Sequence, residues 1–381
     1  MSEVAACLSL EDKIESVLGD LLEEYSAEHD HPWIVGFSGG KDSTLVLQFV
    51  IEMLLSLPPS ARRRTVHVVA NDTLVEAPLV AKHLDKCLAR IRTGSEALRL
   101  PVTVIKTSPK ADQTFWVNLI GRGYPSPSRT FRWCTDRMKI QPTSHYIRSQ
   151  VASNGKVILL LGVRRQESST RAVSVNRYSN GGRLNAHNDL QGCLVYRPIV
   201  DFSTEEVWQI LLQRRPPWGG THRDLVTLYK NGQGGECPLV IDKSDAPSCG
   251  TSSSRFGCWT CTVVVKDRSM EGFIESGQEN LEPLLEMRDW LAEIRNDPTR
   301  RMAHRRNGKV TYLADGSLIP GPFTLTARRE IMDRLLEAQM ATGEVLITED
   351  EVEHIERIWA EDAAFGLGAA VAEPADSEAV A

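Results

Sequence analysis

Three groups of residues in this chain have the types and spacing to do chemistry. The first is Ser38-Gly39-Gly40-Lys41-Asp42-Ser43, set between an apolar run from Trp33 and a Leu/Val-rich run that ends at Leu47. Two adjacent glycines reach backbone dihedrals that other residues resist, so consecutive N–H groups can turn around an anion. Lys41 adds a point charge, and a helix beginning there adds the positive end of its dipole. The six residues therefore read as a pyrophosphate cradle. They are not the commoner phosphate loop, which needs four residues between its glycines. A plain glycine turn with a solvated Lys and Asp is the alternative.

The second group centres on Cys134, which has Arg129, Arg132, Arg137 and Lys139 around it in sequence. Cationic neighbours stabilise a thiolate, so Cys134 is the candidate nucleophilic or sulfur-carrying cysteine, against the alternative of a buried, inert one. The third group is Cys237, Cys249, Cys258 and Cys261, spaced C-x₁₁-C-x₈-C-x₂-C. Thiolates two residues apart can bind one centre from a single turn, and four complete a tetrahedral set. Structural zinc and an iron–sulfur cluster both remain open. Cys7, Cys87 and Cys193 fall in no motif and read as packing residues.

These groups need a frame, and the apolar periodicity supplies one. Residues 9–28 read as an acidic amphipathic helix, with Leu10, Ile14, Val17 and Leu21 on one face. Strands are expected from Trp33, over Thr65–Ala70, over Val102–Thr107 and over Val157–Val163, with helices between them. That alternation predicts an α/β fold with a doubly wound parallel sheet. Asn71, Asp72 and Thr73 end the second strand, where such sheets bind ligands, although Asp and Thr serve equally well as helix caps. Arg164, Arg165, Glu167, Ser168 and Arg171 follow the fourth strand, and forked guanidinium groups there could grip phosphate. Ser203 with Glu206 predicts a capping box opening an ordinary helix.

Four units are expected: 1–215 carrying the sheet, 216–268 holding the cysteine-rich segment, 269–363 helical, and 364–381 a disordered tail of Ala, Gly and acid. Between two expected helices, Arg295 to Lys309 carries six basic side chains against one Asp. Such a stretch suits contact with a phosphate backbone, or equally a solvated loop. With 381 residues and 41% apolar content the chain can bury a substantial core, and its net charge of −6 leaves room for a local basic face. No apolar run reaches the ~18 residues of a membrane span, and no secretory signal is evident, so a cytoplasmic protein without disulfides is expected.

The string S-G-G-K-D-S resembles the PP-loop of the ATP pyrophosphatase superfamily, whose adenine nucleotide alpha-hydrolase-like members split ATP between the α and β phosphates. R-W-C-T-D-R-M-K-I-Q-P at 132–142 is similar to an element of the phosphoadenylyl-sulfate reductase branch, and L-L-G-V-R-R-Q-E-S-S-T-R-A at 160–172 and Y-R-P-I-V-D-F-S-T-E-E-V-W at 196–208 agree with it. Together with the downstream cysteines these elements resemble the DndC/SspD family of DNA phosphorothioation sulfurtransferases over roughly residues 30–270. The resemblance implies that Ser38 to Ser43, Asn71, Asp72, Thr73 and Gly162 bind ATP, with Mg²⁺ near Asp42. It implies catalytic roles for Lys41, Asp42, Cys134, Arg164 and Arg171, with Cys134 as the persulfide acceptor, and a [4Fe-4S] cluster on Cys237, Cys249, Cys258 and Cys261. It implies DNA, a cysteine desulfurase and other phosphorothioation-system proteins as partners, and leaves a homo-oligomer open. A phosphoadenylyl-sulfate reductase, a tRNA thiolase and a non-catalytic nucleotide-binding redox sensor are the competing readings.

Overall fold

A computed structural model describes residues 9–167, 182–232 and 256–364. Helix α1 (Leu10–Ser26) starts where Ser9 and Asp12 form a reciprocal capping box, and it buries Ile14, Val17 and Leu21 against α2 (Lys41–Ser56). The strands are β1 (Trp33–Gly36), β2 (Val66–Asn71), β3 (Val102–Thr107), β4 (Val157–Leu160), β5 (Asn185–Ala186) and β6 (Cys193–Tyr196). Helices α3 (Pro78–Ala97) and α4 (Gln141–Asn154) connect β2 to β3 and lead into β4.

The sheet order is β3-β2-β1-β4-β6-β5, parallel throughout except for the short β5 against β6. Central strands read as continuous apolar runs, as in Trp33-Ile34-Val35 and Val157-Ile158-Leu159-Leu160, because helices cover both faces of a parallel sheet. Crossovers leave β1 in one direction and β4 in the other, so the topological switch falls between those two strands. Loops at their carboxyl ends therefore face a common crevice. Helix α5 (Thr204–Gln213) opens on the expected Ser203–Glu206 capping box, and α6 (Arg223–Asn231) follows it.

A second apolar core gathers Trp259 with α7 (Arg268–Glu275), α8 (Glu282–Ile294), α9 (Leu325–Thr342) and α10 (Glu349–Ala364). Phe115, Trp116, Ile120, Trp133 and Met138 belong to this core as well. Thus the segment that carries Cys134, which lies between β3 and α4 in sequence, packs with the helical part of the molecule. Two π-helical turns, Val117–Gly121 and Thr135–Ile140, shape that segment. The helical pattern expected from 269 to about 360 is interrupted at 301–323, where Gly308, Gly316, Pro320, Gly321 and Pro322 give turns and short bridges instead of a helix. Of the expected tail at 364–381, Ala364 ends α10 and the rest lies outside the described residues, as do Cys7, Ser168, Arg171, Cys237 and Cys249.

Candidate functional site

The loop after β1 closes on itself through serine hydroxyls. Gly39 takes φ +73°, Gly40 caps α2, and Ser43 Oγ donates to the Gly40 carbonyl at 3.0 Å while accepting from the Ser38 amide at 3.2 Å. The two serine hydroxyls meet at 3.1 Å. His83 of α3 contacts the Gly39 carbonyl at 3.2 Å from outside. Lys41 is only 4% exposed, with Nζ 3.1 Å from Asp42 Oδ2 and 5.6 Å from the centre of the Tyr229 ring. Its amide donates to the Tyr229 hydroxyl at 3.3 Å.

The end of β4 passes directly under this loop. A Cβ on Gly162 would stand 2.8 Å from the carbonyl carbon of Asp42 and 2.9 Å from the Ser43 amide nitrogen, so only glycine fits there. Arg164 is fully buried, donating from Nε to Asp42 Oδ1 at 2.6 Å and from Nη1 to the Phe202 carbonyl at 3.3 Å. Its Nη2 finds no hydrogen-bond partner among the described residues. Arg164 therefore braces the loop from below. The two oxygens of Asp42 are spent on Arg164 and Lys41, which does not fit a carboxylate presented to Mg²⁺. Arg165, half exposed, pairs with Asp201.

At the tip of β2 the side chains turn toward sulfur. Asn71 Nδ2 donates to the Met138 carbonyl at 2.8 Å and its Oδ1 accepts from Thr107, which ties β2 to the Cys134 segment. Asp72 accepts from the Leu74 amide and pairs with Lys106 at 3.1 Å. Thr73 is buried, with its hydroxyl 2.9 Å from Glu76 Oε1 and 3.4 Å from Cys258 Sγ. Glu76 forms a bridge with Cys258, and the Trp259 amide donates to the Val75 carbonyl. The Cys261 amide bonds back to the Cys258 carbonyl at 3.0 Å, so both thiols sit on one tight turn.

Cys134 joins this pair. Burial pushes its thiol up from the ordinary range and nearby Cys261 adds to the effect, while Thr135 and Lys139 oppose it. The lowered thiol expected from four cationic neighbours is thus corrected. Arg137 turns away to Gln113, Asn118 and Tyr124, and Arg129 and Arg132 are exposed. Burial and then Glu76 push Cys258 up to about 12. Lys139 feels all three thiols: Cys258 raises it most, burial opposes, and Glu76, Cys134 and Cys261 raise it further. Cys87 and Cys193 are held at about 11 by burial and lie in the sheet part, as expected of packing residues.

Two arginines of the helical part hold the Cys258–Cys261 turn. Arg288, 1% exposed, donates to the carbonyls of Cys261 and Val265 at 3.0 Å and to that of Val264. Arg295 Nη1 spans the Thr262 and Pro127 carbonyls at 3.0 and 2.9 Å. Arg288 shares the apolar stripe of Leu284, Met287 and Leu291, and a charge on that stripe was the available signal. Arg295, Arg300, Arg301 and Arg306 are all engaged inside the fold, with Pro127 and Thr262, Glu330, Gly321 and Asp362 respectively. The basic stretch is thus mostly structural, and Arg305 and Lys309 remain its outward charges.

Among the described residues no three His, Cys, Asp or Glu side chains converge closely enough to hold a single metal ion. A cluster spreads its thiolates wider than one ion does. The chemistry of the two described donors, thiols on one tight turn with Lys139 to balance charge, fits half of the ligand set of such a group. Glu76 and Tyr229 carried no signal in the sequence, since each acts through partners more than 180 residues away.

A nucleotide-type loop at the switch point of a parallel α/β sheet, joined at the same edge by paired thiols, defines a PP-loop class of protein. The profile of the phosphoadenosine phosphosulfate reductase domain matches residues 32–264, more than half of the chain, and the chain belongs to that family. An uncharacterized protein of Methanocaldococcus jannaschii is 26% identical over 201 residues, which are 53% of this chain and 34% of that protein. The chain therefore spans about a third of the length of the curated relative it matches. Solved structures similar to it include a phosphoadenylyl-sulfate reductase from Candida auris (13% identity, 54% of this chain and 87% of that one, TM-score 0.33). Others are an NAD⁺ synthetase from Burkholderia pseudomallei (13%, 58% and 72%, 0.37) and the U34-tRNA thiolase NcsA of Methanococcus maripaludis with its [4Fe-4S] cluster (11%, 75% and 79%, 0.32). Among the described residues no helix is long and apolar enough to cross a membrane.

Proposed function

We propose that this protein uses ATP to activate a DNA backbone phosphate for replacement of a non-bridging oxygen by sulfur. The observation that carries this reading is that Cys134 and Cys258 pack on one core, with Cys258 against Thr73 at the tip of β2, the strand beside the one whose end bears the Ser38–Ser43 loop. Loop amides and Lys41 hold the β and γ phosphates, leaving the α-phosphorus open to attack by a DNA phosphate oxygen. Pyrophosphate departs as the first product. The terminal sulfur of a Cys134 persulfide then attacks the adenylated phosphorus and expels AMP, and a dithiol reductant cleaves the remaining S–S bond, leaving sulfur on phosphorus and Cys134 as a free thiol while the reductant becomes a disulfide. Positive charge from Lys41 and Lys139 lowers the cost of bringing anions together at each step. Cys258 and Cys261, with Cys237 and Cys249, would hold an iron–sulfur cluster, which would supply electrons for the reductive release of sulfur. Cys134 would receive sulfur from a cysteine desulfurase, working with other phosphorothioation-system proteins.

The test is mass analysis of digested DNA from cells carrying the gene with its neighbours. Sulfur-containing dinucleotides should be present with the parental protein and absent with Cys134→Ser. Their persistence with Cys134→Ser overturns the role of that thiol, and sulfur found in tRNA instead favours a tRNA thiolase. Family membership also favours a second reading, reduction of a nucleotide-bound sulfate, which proceeds without releasing pyrophosphate from ATP.

A further inference from the structure

The Ser38–Ser43 loop is in contact with a residue 188 positions further along the chain. Tyr229, on the last turn of α6, accepts from the Lys41 amide at 3.3 Å and places its ring 5.6 Å from Lys41 Nζ. A Cβ at Gly40 would meet the Tyr229 hydroxyl at 3.2 Å, so that hydroxyl lies against the loop where an anion would seat. The same ring packs edge-on against Phe256 with centroids 4.8 Å apart, and Phe256 stacks on Phe273 of α7. Phe256 lies two residues before Cys258, and Tyr229 lies eight residues before Cys237.

We propose that Tyr229 is the positioning residue that couples occupation of the loop to the Cys258–Cys261 turn. One amide cannot donate fully to two acceptors, so a phosphate oxygen on Lys41 competes with the Tyr229 hydroxyl. When phosphate wins, the ring moves and Phe256 must repack. The turn carrying Cys258 then shifts against β2. The order of events follows: nucleotide first, sulfur chemistry second. This rests on the reading of the loop as a pyrophosphate cradle.

The test uses the full-length protein and α,β-methylene-ATP, which cannot be split at the reacting bond. Binding is measured by calorimetry, and backbone hydrogen exchange is followed in peptides covering 256–262. Removing one neutral competing hydrogen bond is worth about fivefold, so Tyr229→Phe should bind the analogue about fivefold tighter than the parent. The analogue should change exchange at 256–262 in the parent, and Phe256→Leu should abolish that change while retaining binding. A merely structural tyrosine would give weaker binding in Tyr229→Phe, and that result overturns the proposal. Unchanged affinity, or an exchange response that survives Phe256→Leu, overturns it equally. Failure of the parental protein to bind the analogue would instead remove the reading of the loop itself.

Discussion

The loop at the head of α2 is made from six consecutive residues, whereas the thiol site draws on β2, the 134–139 turn and the 258–261 turn, with one of its contacts spanning 185 positions. The loop is braced from below by the sheet part, through Gly162 and Arg164. The thiols are held by the helical part, through Arg288 and Arg295. Geometry that depends on contiguous backbone travels as a motif, while geometry that depends on packing two cores together does not. Under the proposed function the contrast becomes a division of labour, in which one half would present phosphate and the other sulfur.

That division can be broken from either side. The largest effect is expected at Asp362, which pairs with the buried Arg328 at 2.8 Å and takes both forks of Arg306. Removing one partner of a buried pair typically costs about 3–5 kcal/mol, because a charge is left uncompensated. Asp362→Ala should therefore lower the denaturant midpoint and release any bound iron, while α,β-methylene-ATP affinity in protein that remains folded stays near parental. Loss of nucleotide binding in parallel with iron would show that the two halves do not act separately.

Acid should strike the other half. His222 stands at the N-cap position of α6, donates from Nε2 to Gln48 Oε1 of α2 at 2.8 Å, and is pushed down to about 4 by burial. The unfolded chain binds this proton from about pH 6.5 downward and the folded one only near pH 4. Stability from this group is complete above pH 6.5 and falls as pH drops through that window, by at most about 3 kcal/mol. Unfolding followed between pH 7 and 4.5 should show this loss, and His222→Gln should flatten it. Equal slopes for parent and variant would contradict the assignment.

A methyl group is enough to probe the brace. Gly162→Ala forces backbone apart at Asp42 and Ser43, and overpacking of this kind costs about 1–3 kcal/mol. Analogue binding should weaken at least tenfold with the iron content unchanged. The smallest effect is reserved for Arg305 and Lys309. Replacing both by serine should reduce the salt dependence of nucleic-acid binding by about two charges and leave stability within ~0.5 kcal/mol. A larger fall in stability would mean that they too are structural.

The central strands β1 and β4 were readable from sequence because each is an uninterrupted apolar run, as at Trp33 and Val157, whereas the two-residue β5 at Asn185–Ala186 is too short to leave a pattern. The loop was readable because its glycines and lysine are adjacent. Asn71, Asp72 and Thr73 were placed at a strand end, where either nucleotide contact or helix capping was open and the family resemblance pointed to ATP; their side chains bond to Met138, Leu74 and Glu76 in the structure. Strand-end position fixes where a residue sits but not which way a short polar side chain turns. The arginines near Cys134 misled for a related reason: sequence neighbours on a π-helical turn point to different sides, and Arg137 found partners on another segment. Cys258 and Cys261 were legible as a pair, but their proximity to Cys134 required the second core.

The central claim is that this loop holds ATP for cleavage between its α and β phosphates. Lys41→Ala protein, purified without oxygen and with parental iron content, should be compared with the parent for pyrophosphate release in the presence of DNA and a sulfur source. The parent should yield pyrophosphate and AMP in equal amounts, and the variant should be slower by about 100-fold or more. Equal rates in the two proteins, or ADP and phosphate as the products, would contradict the account.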